Sequence, residues 1–345
     1  MKRCIELAKN GLGTTSPNPS VGAVLVYNDK IIGEGYTSAY GGNHAEVNAI
    51  NSVTDKSLLS KSTMYVSLEP CNHFGKTPPC SDLIIESAIP NVVIGCVDPF
   101  EKVAGKGIQK LSDHGCNVIV GVLEEACLAA NKRFFTFHTR KRPYIILKWA
   151  ETKDGFIDVD REVQAIENAK PNWITTENSR RLVHKWRSEE DAILVGTTTV
   201  INDNPKLTIR DWKGNNPVRV ILDRTLRIPK SYHIYNGEVK TLIITEMKVP
   251  SEHNILFEQI DFSKALGQQI CAILYKHKLQ SVLVEGGRQT LDTFIDTNLW
   301  DEARVFIGDV VFIKGLKAPV VSGDVMSLES IETDLLKFVK NKVNS

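Results

Sequence analysis

His44-Ala45-Glu46 and, further on, Pro70-Cys71-Asn72-His73-Phe74-Gly75-Lys76-Thr77-Pro78-Pro79-Cys80 decide how the first half of this chain is read. Apolar spacing from His44 to Val53 predicts a helix that opens on the His-x-Glu triplet, and the β-rich run Thr63 to Leu68 predicts a strand that delivers Pro70-Cys71. Cys80 then opens a helix running to Ile89. One imidazole and two thiolates are three ligands. Three ligands leave one position open, which is the arrangement of a catalytic zinc site rather than a closed structural one. The open position takes a water whose pKa the ion lowers towards about 7. Glu46, two residues beyond His44, is placed to carry protons beside that water without ligating the ion.

Working outward, Cys4, Ile5, Leu7, Ala8 and Leu12 recur at helical spacing up to the Gly11 and Gly13 breakers. Val21 to Tyr27 and Lys30 to Tyr36 read as a hairpin turned by Asn28-Asp29. Past the cysteines come a strand Asn91 to Val97, a helix Gly105 to His114, a strand Asn117 to Val122 and one last helix from Leu123 to Arg140. The alternation predicts an α/β sandwich. Arg140-Lys141-Arg142 ahead of Pro143 marks a domain boundary, giving domains 1–142 and 143–345. The second domain repeats the alternation: strands Tyr144 to Ala150, Asp191 to Gly196, Val218 to Leu222, Thr241 to Thr245, Ser281 to Glu285 and Ala303 to Ile307, with helices Glu177 to Ser188, Phe262 to His277 and Gln289 to Leu299.

Two domains are also what 345 residues suggest. With 42% hydrophobic and 24% charged residues the chain has the composition of a globular protein. The net charge of +1, from 42 basic against 41 acidic residues, offers no footprint for neutralising phosphates, so nucleic acid is not the expected partner. No run approaches the roughly 18 apolar residues of a membrane span, and the first residues lack a signal-peptide core, so the expected compartment is the cytosol. Seven cysteines, an odd number, argue for reduced thiols and metal ligands over a disulfide framework; Cys4, Cys96, Cys116, Cys127 and Cys271 read as buried structural residues.

The triplet and the cysteines match the H-x-E then P-C-x-x-C pattern of zinc nucleobase deaminases, with eight residues between the cysteines instead of two. That longer loop resembles the hallmark of the deaminase domain of the bifunctional riboflavin-biosynthesis deaminase/reductase family. Pro17-Asn18-Pro19-Ser20-Val21-Gly22-Ala23-Val24 is similar to the family's P-N-P-x-V-G-x-V, and Val103-Ala104-Gly105-Lys106-Gly107 also fits. The resemblance implies one zinc per chain on His44, Cys71 and Cys80, Glu46 as the catalytic acid/base, and a diaminopyrimidinone ribosylamino 5′-phosphate as substrate. It further implies that Asn18 binds the substrate, His73 touches base or sugar, and Lys76 holds the phosphate. Asp98-Pro99-Phe100-Glu101 departs from the family's usual D-P-N-P, because Phe100 cannot make an asparagine's contacts.

In the second half no G-x-G-x-x-G follows a strand, so a Rossmann site is not indicated. Instead Val282-Leu283-Val284-Glu285-Gly286-Gly287-Arg288 ends a strand in two glycines and enters a helix, a place where backbone N–H groups and a helix N-terminus suit a diphosphate. Together with Trp173-Ile174-Thr175, the helix bearing Arg180, His184 and Arg187, the run Asp191 to Val200 and the run Asp203 to Arg210, this resembles the reductase domain of the same family. The fold implied is therefore a cytidine-deaminase-like α/β/α sandwich followed by a dihydrofolate-reductase-like α/β domain. By the resemblance Ala150, Trp173, Thr199, Asp203, Gly286, Gly287, Arg288, Gln289 and Thr290 contact NADPH, while Lys148, Arg187, Leu207, Arg210 and Glu285 hold the substrate. The implied chemistry is hydride transfer to C1′, opening the ribosyl group to ribityl, and a homodimer or larger homo-oligomer is expected. Lys148 to Gly155 fits K-x-A-x-S-x-D-G with Thr152 for serine, and Pro171-Asn172 departs from a serine-containing segment.

Two other readings stand beside this one. A cytidine or tRNA-adenosine deaminase with an unrelated partner domain is disfavoured by the near-neutral charge, and RNA binding would expose it. A protein with a structural zinc and a nucleotide-sensing second half has no use for Glu46.

Overall fold

The computed structural model describes residues 1–74, 78–100, 104–160 and 172–343. It separates into two compact units, Met1–Lys141 and Arg142–Ser345. Arg142 belongs with the second because its guanidinium grips Asp301 through bonds of 2.6 and 2.7 Å.

The first unit runs α1 (Lys2–Ala8), β1 (Gly22–Tyr27), β2 (Lys30–Tyr36), α2 (Ala45–Ser52), β3 (Thr63–Leu68), α3 (Cys80–Glu86), β4 (Asn91–Cys96), α4 (Lys106–Asp113), β5 (Asn117–Val120), α5 (Glu124–Ala130) and α6 (Lys132–Arg140). Its five strands lie in the order β2-β1-β3-β4-β5. β1 is antiparallel to β2 and β3, whereas β3, β4 and β5 are parallel. Alternation sends Ala23 and Leu25 to a core shared with Ala49, Ile50 and Ile84 of α2 and α3, and sends Val24 to the other face with Cys4 and Leu7 of α1. Helices on both faces of one sheet make an α/β/α sandwich. The β1–β2 hairpin turns where the sequence places it, and Asn28 and Asp29 both take positive φ there, 48° and 59°. The expected single helix Leu123 to Arg140 is two helices, because the backbone breaks at Asn131 with φ −109° and ψ 22°.

The second unit contains β6 (Tyr144–Thr152), β7 (Phe156–Asp158), α7 (Glu177–Glu189), β8 (Ala192–Gly196), α8 (Thr197–Asp203), β9 (Val218–Leu222), β10 (Thr241–Thr245), β11 (Ile255–Gln259), α9 (Leu266–Lys276), β12 (Ser281–Val284), α10 (Arg288–Asp296), β13 (Glu302–Gly308), β14 (Leu316–Lys317), β15 (Asp324–Ile331) and β16 (Asp334–Lys340). Nine strands form one sheet in the order β11-β10-β9-β8-β12-β6-β13-β16-β15. From β11 to β13 neighbours are parallel, and β16 and β15 close the edge antiparallel. The central strands are fully buried, as parallel strands covered on both faces must be: Ile145, Leu194, Val220 and Val282 expose nothing. β8 and β12 are neighbours although far apart in sequence, and their carboxyl ends open beside each other, the position where α/β sheets bind ligands.

Candidate active sites

In the first unit three chain segments meet at the carboxyl end of β3. His44 is the N-cap of α2, Cys71 follows the strand across Pro70, and Cys80 is the first residue of α3. His44 Nδ1 lies 3.5 Å from Cys71 Sγ and 3.3 Å from Cys80 Sγ, and the three donor atoms all fall within 4.8 Å of one another. Tetrahedral zinc with its usual Zn–N and Zn–S lengths separates such atoms by about 3.5 Å. The donor set therefore fits zinc in both chemistry and spacing. The Cys80 N–H donates to Cys71 Sγ at 3.3 Å, so the start of α3 favours a thiolate there. Hydrogen bonding from Cys80 holds the Cys71 thiol down to about 4, while the same contact pushes Cys80 up. The hydrogen bond to Cys71 raises His44 to about 9.

Glu46 is buried on the first turn of α2, next to this cluster but not one of its members. Burial lifts its carboxyl to about 7, with Cys71 adding to the lift. A carboxyl beside the three donor atoms that does not itself ligate the ion is suited to pass protons in either direction.

Of the other expected residues in this unit, Asn18 is half-buried in the turn ahead of β1, its N–H bonded to the Thr15 carbonyl at 2.9 Å. His73 is exposed and meets the Phe100 ring edge-on at 6.3 Å. Lys76 lies outside the described residues. Phe100 also packs 5.2 Å from His138, so where the family's asparagine would stand the chain has an aromatic contact. Asp98 is buried, which pushes its carboxyl up to about 6, and it accepts a 2.7 Å bond from the Phe100 N–H.

The second unit holds a cavity of about 910 Å³ at the carboxyl ends of β8 and β12. Lys148 and Ala150 of β6, Arg187 of α7, Thr199 and Asp203 of α8, Trp173, Arg210, Glu285 and the whole stretch Gly286 to Thr290 line it. Leu207 does not. Its side chain is buried among Ile193, Val195 and Ile221, in a backbone with φ of 52°, so the expected substrate contact is not made by that side chain.

Two glycines shape the cavity floor. Gly286 takes φ of 114°, which disfavours any side chain, and its carbonyl accepts from the Gly196 N–H at 2.9 Å. A Cβ on Gly196 would come 2.6 Å from Thr290 Oγ1. With no bulk between them, β8 and the start of α10 close together, and the first N–H groups of α10 have no acceptor within the helix. That cradle suits the diphosphate of a dinucleotide. The Arg288 side chain is engaged with Asp292 and the Lys317 carbonyl, which leaves its backbone to face the cradle.

Next to the cradle, Arg187 donates to both oxygens of Glu285, the residue before Gly286, and Lys148 Nζ stands 3.8 Å from the same carboxylate. Burial works against ionisation of Glu285, but Arg187 and Lys148 outweigh it and hold the carboxyl down to about 2. Burial lowers Lys148. Arg180, stacked 4.6 Å over Trp173, and His184 also line the cavity, as do Arg224 and Arg227 from the turn after β9. The arginines after β9 escaped the sequence reading because two charges beyond a strand look like any solvated turn.

A zinc-type donor cluster with a proton-carrying carboxylate in one unit, and a dinucleotide cradle in the other, define a deaminase joined to a reductase. The comparisons with known proteins agree. Residues 1–96 match the family model described as the cytidine and deoxycytidylate deaminase zinc-binding region, and residues 143–338 match that of the RibD C-terminal domain. A riboflavin biosynthesis protein RibD of Aquifex aeolicus is 40% identical over 350 residues, covering 100% of this chain and 94% of that one. Its counterpart in Synechocystis is 37% identical, covering 94% and 87%. A crystal structure from Thermotoga maritima, described as a diaminohydroxyphosphoribosylaminopyrimidine deaminase/5-amino-6-(5-phosphoribosylamino)uracil reductase, superposes with a TM-score of 0.89 at 40% identity and covers 99% of this chain and 97% of its own. The chain belongs to the RibD family of bifunctional riboflavin-biosynthesis enzymes, with a zinc-binding deaminase domain and an NADPH-dependent reductase domain.

Proposed function

We propose that the first unit deaminates 2,5-diamino-6-ribosylamino-4(3H)-pyrimidinone 5′-phosphate and that the second reduces the product to 5-amino-6-ribitylaminouracil 5′-phosphate. The observation that carries this is the pairing, in one chain, of the His44–Cys71–Cys80 cluster beside Glu46 with the Gly286–Thr290 cradle. When bound, zinc supplies the Lewis acid that makes water nucleophilic near neutral pH. Glu46 takes a proton from the attacking water and delivers it to the departing ammonia, so that water replaces a ring amino group by a carbonyl. Asn18, His73 and Lys76 hold the substrate, Lys76 at its phosphate.

When bound, NADPH supplies the hydride. The Gly286 to Thr290 stretch takes its diphosphate, with Ala150, Trp173, Thr199 and Asp203 around the rest, while Arg224 and Arg227 face its remaining phosphate. Lys148, Arg187, Arg210 and Glu285 orient the ribosyl phosphate so that hydride adds at C1′ as the ring C–O bond opens and its oxygen takes a proton. For Leu207 only the backbone is left for such a role.

Two coarser expectations are part of the same reading. Among the described residues no helix is long and apolar enough to cross a membrane. A cytosolic setting is supported by seven free cysteines, and a homo-oligomer by exposed Val325, Met326 and Leu328 on edge strand β15. The test incubates zinc-loaded protein with the diaminopyrimidinone substrate, with and without NADPH. Ammonia release without NADPH, and NADPH oxidation only after deamination, establish both steps and their order; neither signal overturns the reading.

A further inference from the structure

Glu69 lies two residues before Cys71 and is 3% exposed, yet it belongs to neither the donor cluster nor any ion pair shown among the described residues. Its own N–H donates to the Cys96 carbonyl at 3.0 Å, extending the β3–β4 pairing by one step. Its carboxylate collects four backbone N–H groups. Oε2 accepts from Asp98 at 3.2 Å and Gly105 at 2.9 Å; Oε1 accepts from Gly107 at 2.9 Å and Ile108 at 3.3 Å. Three of those donors belong to the start of α4, whose N-cap Gly105 has no capping side chain of its own. A carboxylate is the acceptor such a helix end binds best.

The contact is close because nothing stands in the way. A Cβ on Gly107 would fall 2.1 Å from the Pro70 carbonyl oxygen, so the first turn of α4 rests directly on the residue that precedes Cys71. From there α4 reaches both thiol segments. The Lys106 carbonyl accepts from Asn72 Nδ2 at 3.3 Å, next to Cys71, and Lys110 pairs with Asp82 on α3, the helix that Cys80 begins. Asn72 in turn accepts from Ser81 at 3.3 Å.

We propose that Glu69 is a positioning residue of the deaminase site: by clamping the N-terminus of α4 against Pro70 it fixes the separation of the Cys71 and Cys80 thiolates that hold the metal. It rests on the reading of His44, Cys71 and Cys80 as the zinc ligands. A side chain that merely stabilised the unit would leave the geometry of the folded metal site unchanged when weakened.

The experiment uses the full chain; reductase activity reports that the second unit is intact, and resistance of the first unit to limited proteolysis reports that it has folded in each variant. Glu69→Gln keeps the size but halves the acceptors, and Gly107→Ala pushes α4 off Pro70 while leaving the carboxylate intact. Zinc retention is measured by competition with a chromophoric chelator, and site geometry by the visible spectrum of the cobalt-substituted protein. Both variants are expected to bind zinc about 10- to 100-fold more weakly, to shift the cobalt bands, and to lose deaminase kcat more than KM is raised. Zinc affinity and cobalt spectrum equal to wild type in folded Glu69→Gln overturn the proposal. Should that variant lose the fold of its first unit, wild-type behaviour of Gly107→Ala overturns it equally. Cys71→Ser separates the underlying reading, which fails if that variant retains zinc as wild type does.

Discussion

Arg187 on α7 and Glu285 after β12 meet in the wall of the reductase cavity through two hydrogen bonds, 2.7 Å from Nε and 2.8 Å from Nη2, with both side chains largely buried. A forked pair of this kind fixes two planar groups in one orientation, and Lys148 shares the same carboxylate. Removing one partner leaves the other a largely buried charge without its counter-ion. Arg187→Ala is therefore expected to cost about 3–5 kcal/mol in the stability of the second unit and to abolish NADPH oxidation, while ammonia release persists. Separate assays of the two steps, with thermal unfolding, check it.

The same pair sets an acid limb. Glu285 titrates near 2 in the folded protein against about 4.3 in an unfolded chain. Its stabilisation is thus complete above about 4.3 and fades as the pH falls from there towards 2. Glu285→Gln lacks this titration and is less stable near neutrality, where Arg187 has lost its counter-ion. The gap in unfolding temperature between wild type and variant should narrow from about pH 6 to about pH 3. A constant gap would show that folding leaves the Glu285 titration unshifted, and a gap that widens in favour of wild type as the pH falls would show that Glu285 is protonated in the native state.

What could be read beforehand follows from how far each signal lies along the chain. His44, Glu46, Cys71 and Cys80 were legible because metal chemistry restricts residue type and each sits at the end of a strongly patterned element. β15 was not, since both its faces are exposed and its sequence carries no alternation. α8 was hidden by its Thr-Thr-Thr-Val-Ile composition, whose β-branched residues disfavour a helix until the cavity wall imposes one. Glu69 gave no signal at all: its four donors begin 29 residues later, and nothing local marks an acidic residue as their acceptor. Leu207 shows the converse, a motif position whose side chain the fold directs into the core.

Cofactor choice is expected to lie with Arg224 and Arg227. They stand on the cavity rim after β9, and an extra phosphate is the feature that a guanidinium can recognise in NADPH but not in NADH. Arg224 is shared with Glu246 at 2.9 Å, so Arg227 should carry the larger part. Arg227→Ala is expected to lose about 1.5 kcal/mol of NADPH binding, a rise in KM of roughly tenfold, with KM for NADH unchanged. An equal change for both cofactors would place the phosphate elsewhere.

The floor of the cradle depends on the absence of one methyl group. In Gly196→Ala the new Cβ would stand 2.6 Å from Thr290 Oγ1, and the hydroxyl or the start of α10 must move. Because Gly196 also donates to the Gly286 carbonyl, the shift is passed to both glycines of the turn. The variant should raise KM for NADPH at least several-fold and leave deamination untouched, as initial rates of the two half-reactions will show.

Glu46→Gln separates binding the metal from using it. The carboxylate is not one of the three donors, so the variant should carry one zinc per chain as wild type does, by elemental analysis. An amide of the same size cannot pass a proton, and ammonia release should fall by about 10²–10⁴-fold or more. Reduction of independently deaminated substrate should continue at the wild-type rate, because that chemistry belongs to the Lys148, Arg187 and Glu285 cavity. Stripping the metal with a chelator should reproduce the loss of deamination and be reversed by added zinc, whereas no added metal should rescue Glu46→Gln. If the variant deaminates normally, proton transfer must run through another group, and buried Asp98 is the first carboxylate to examine.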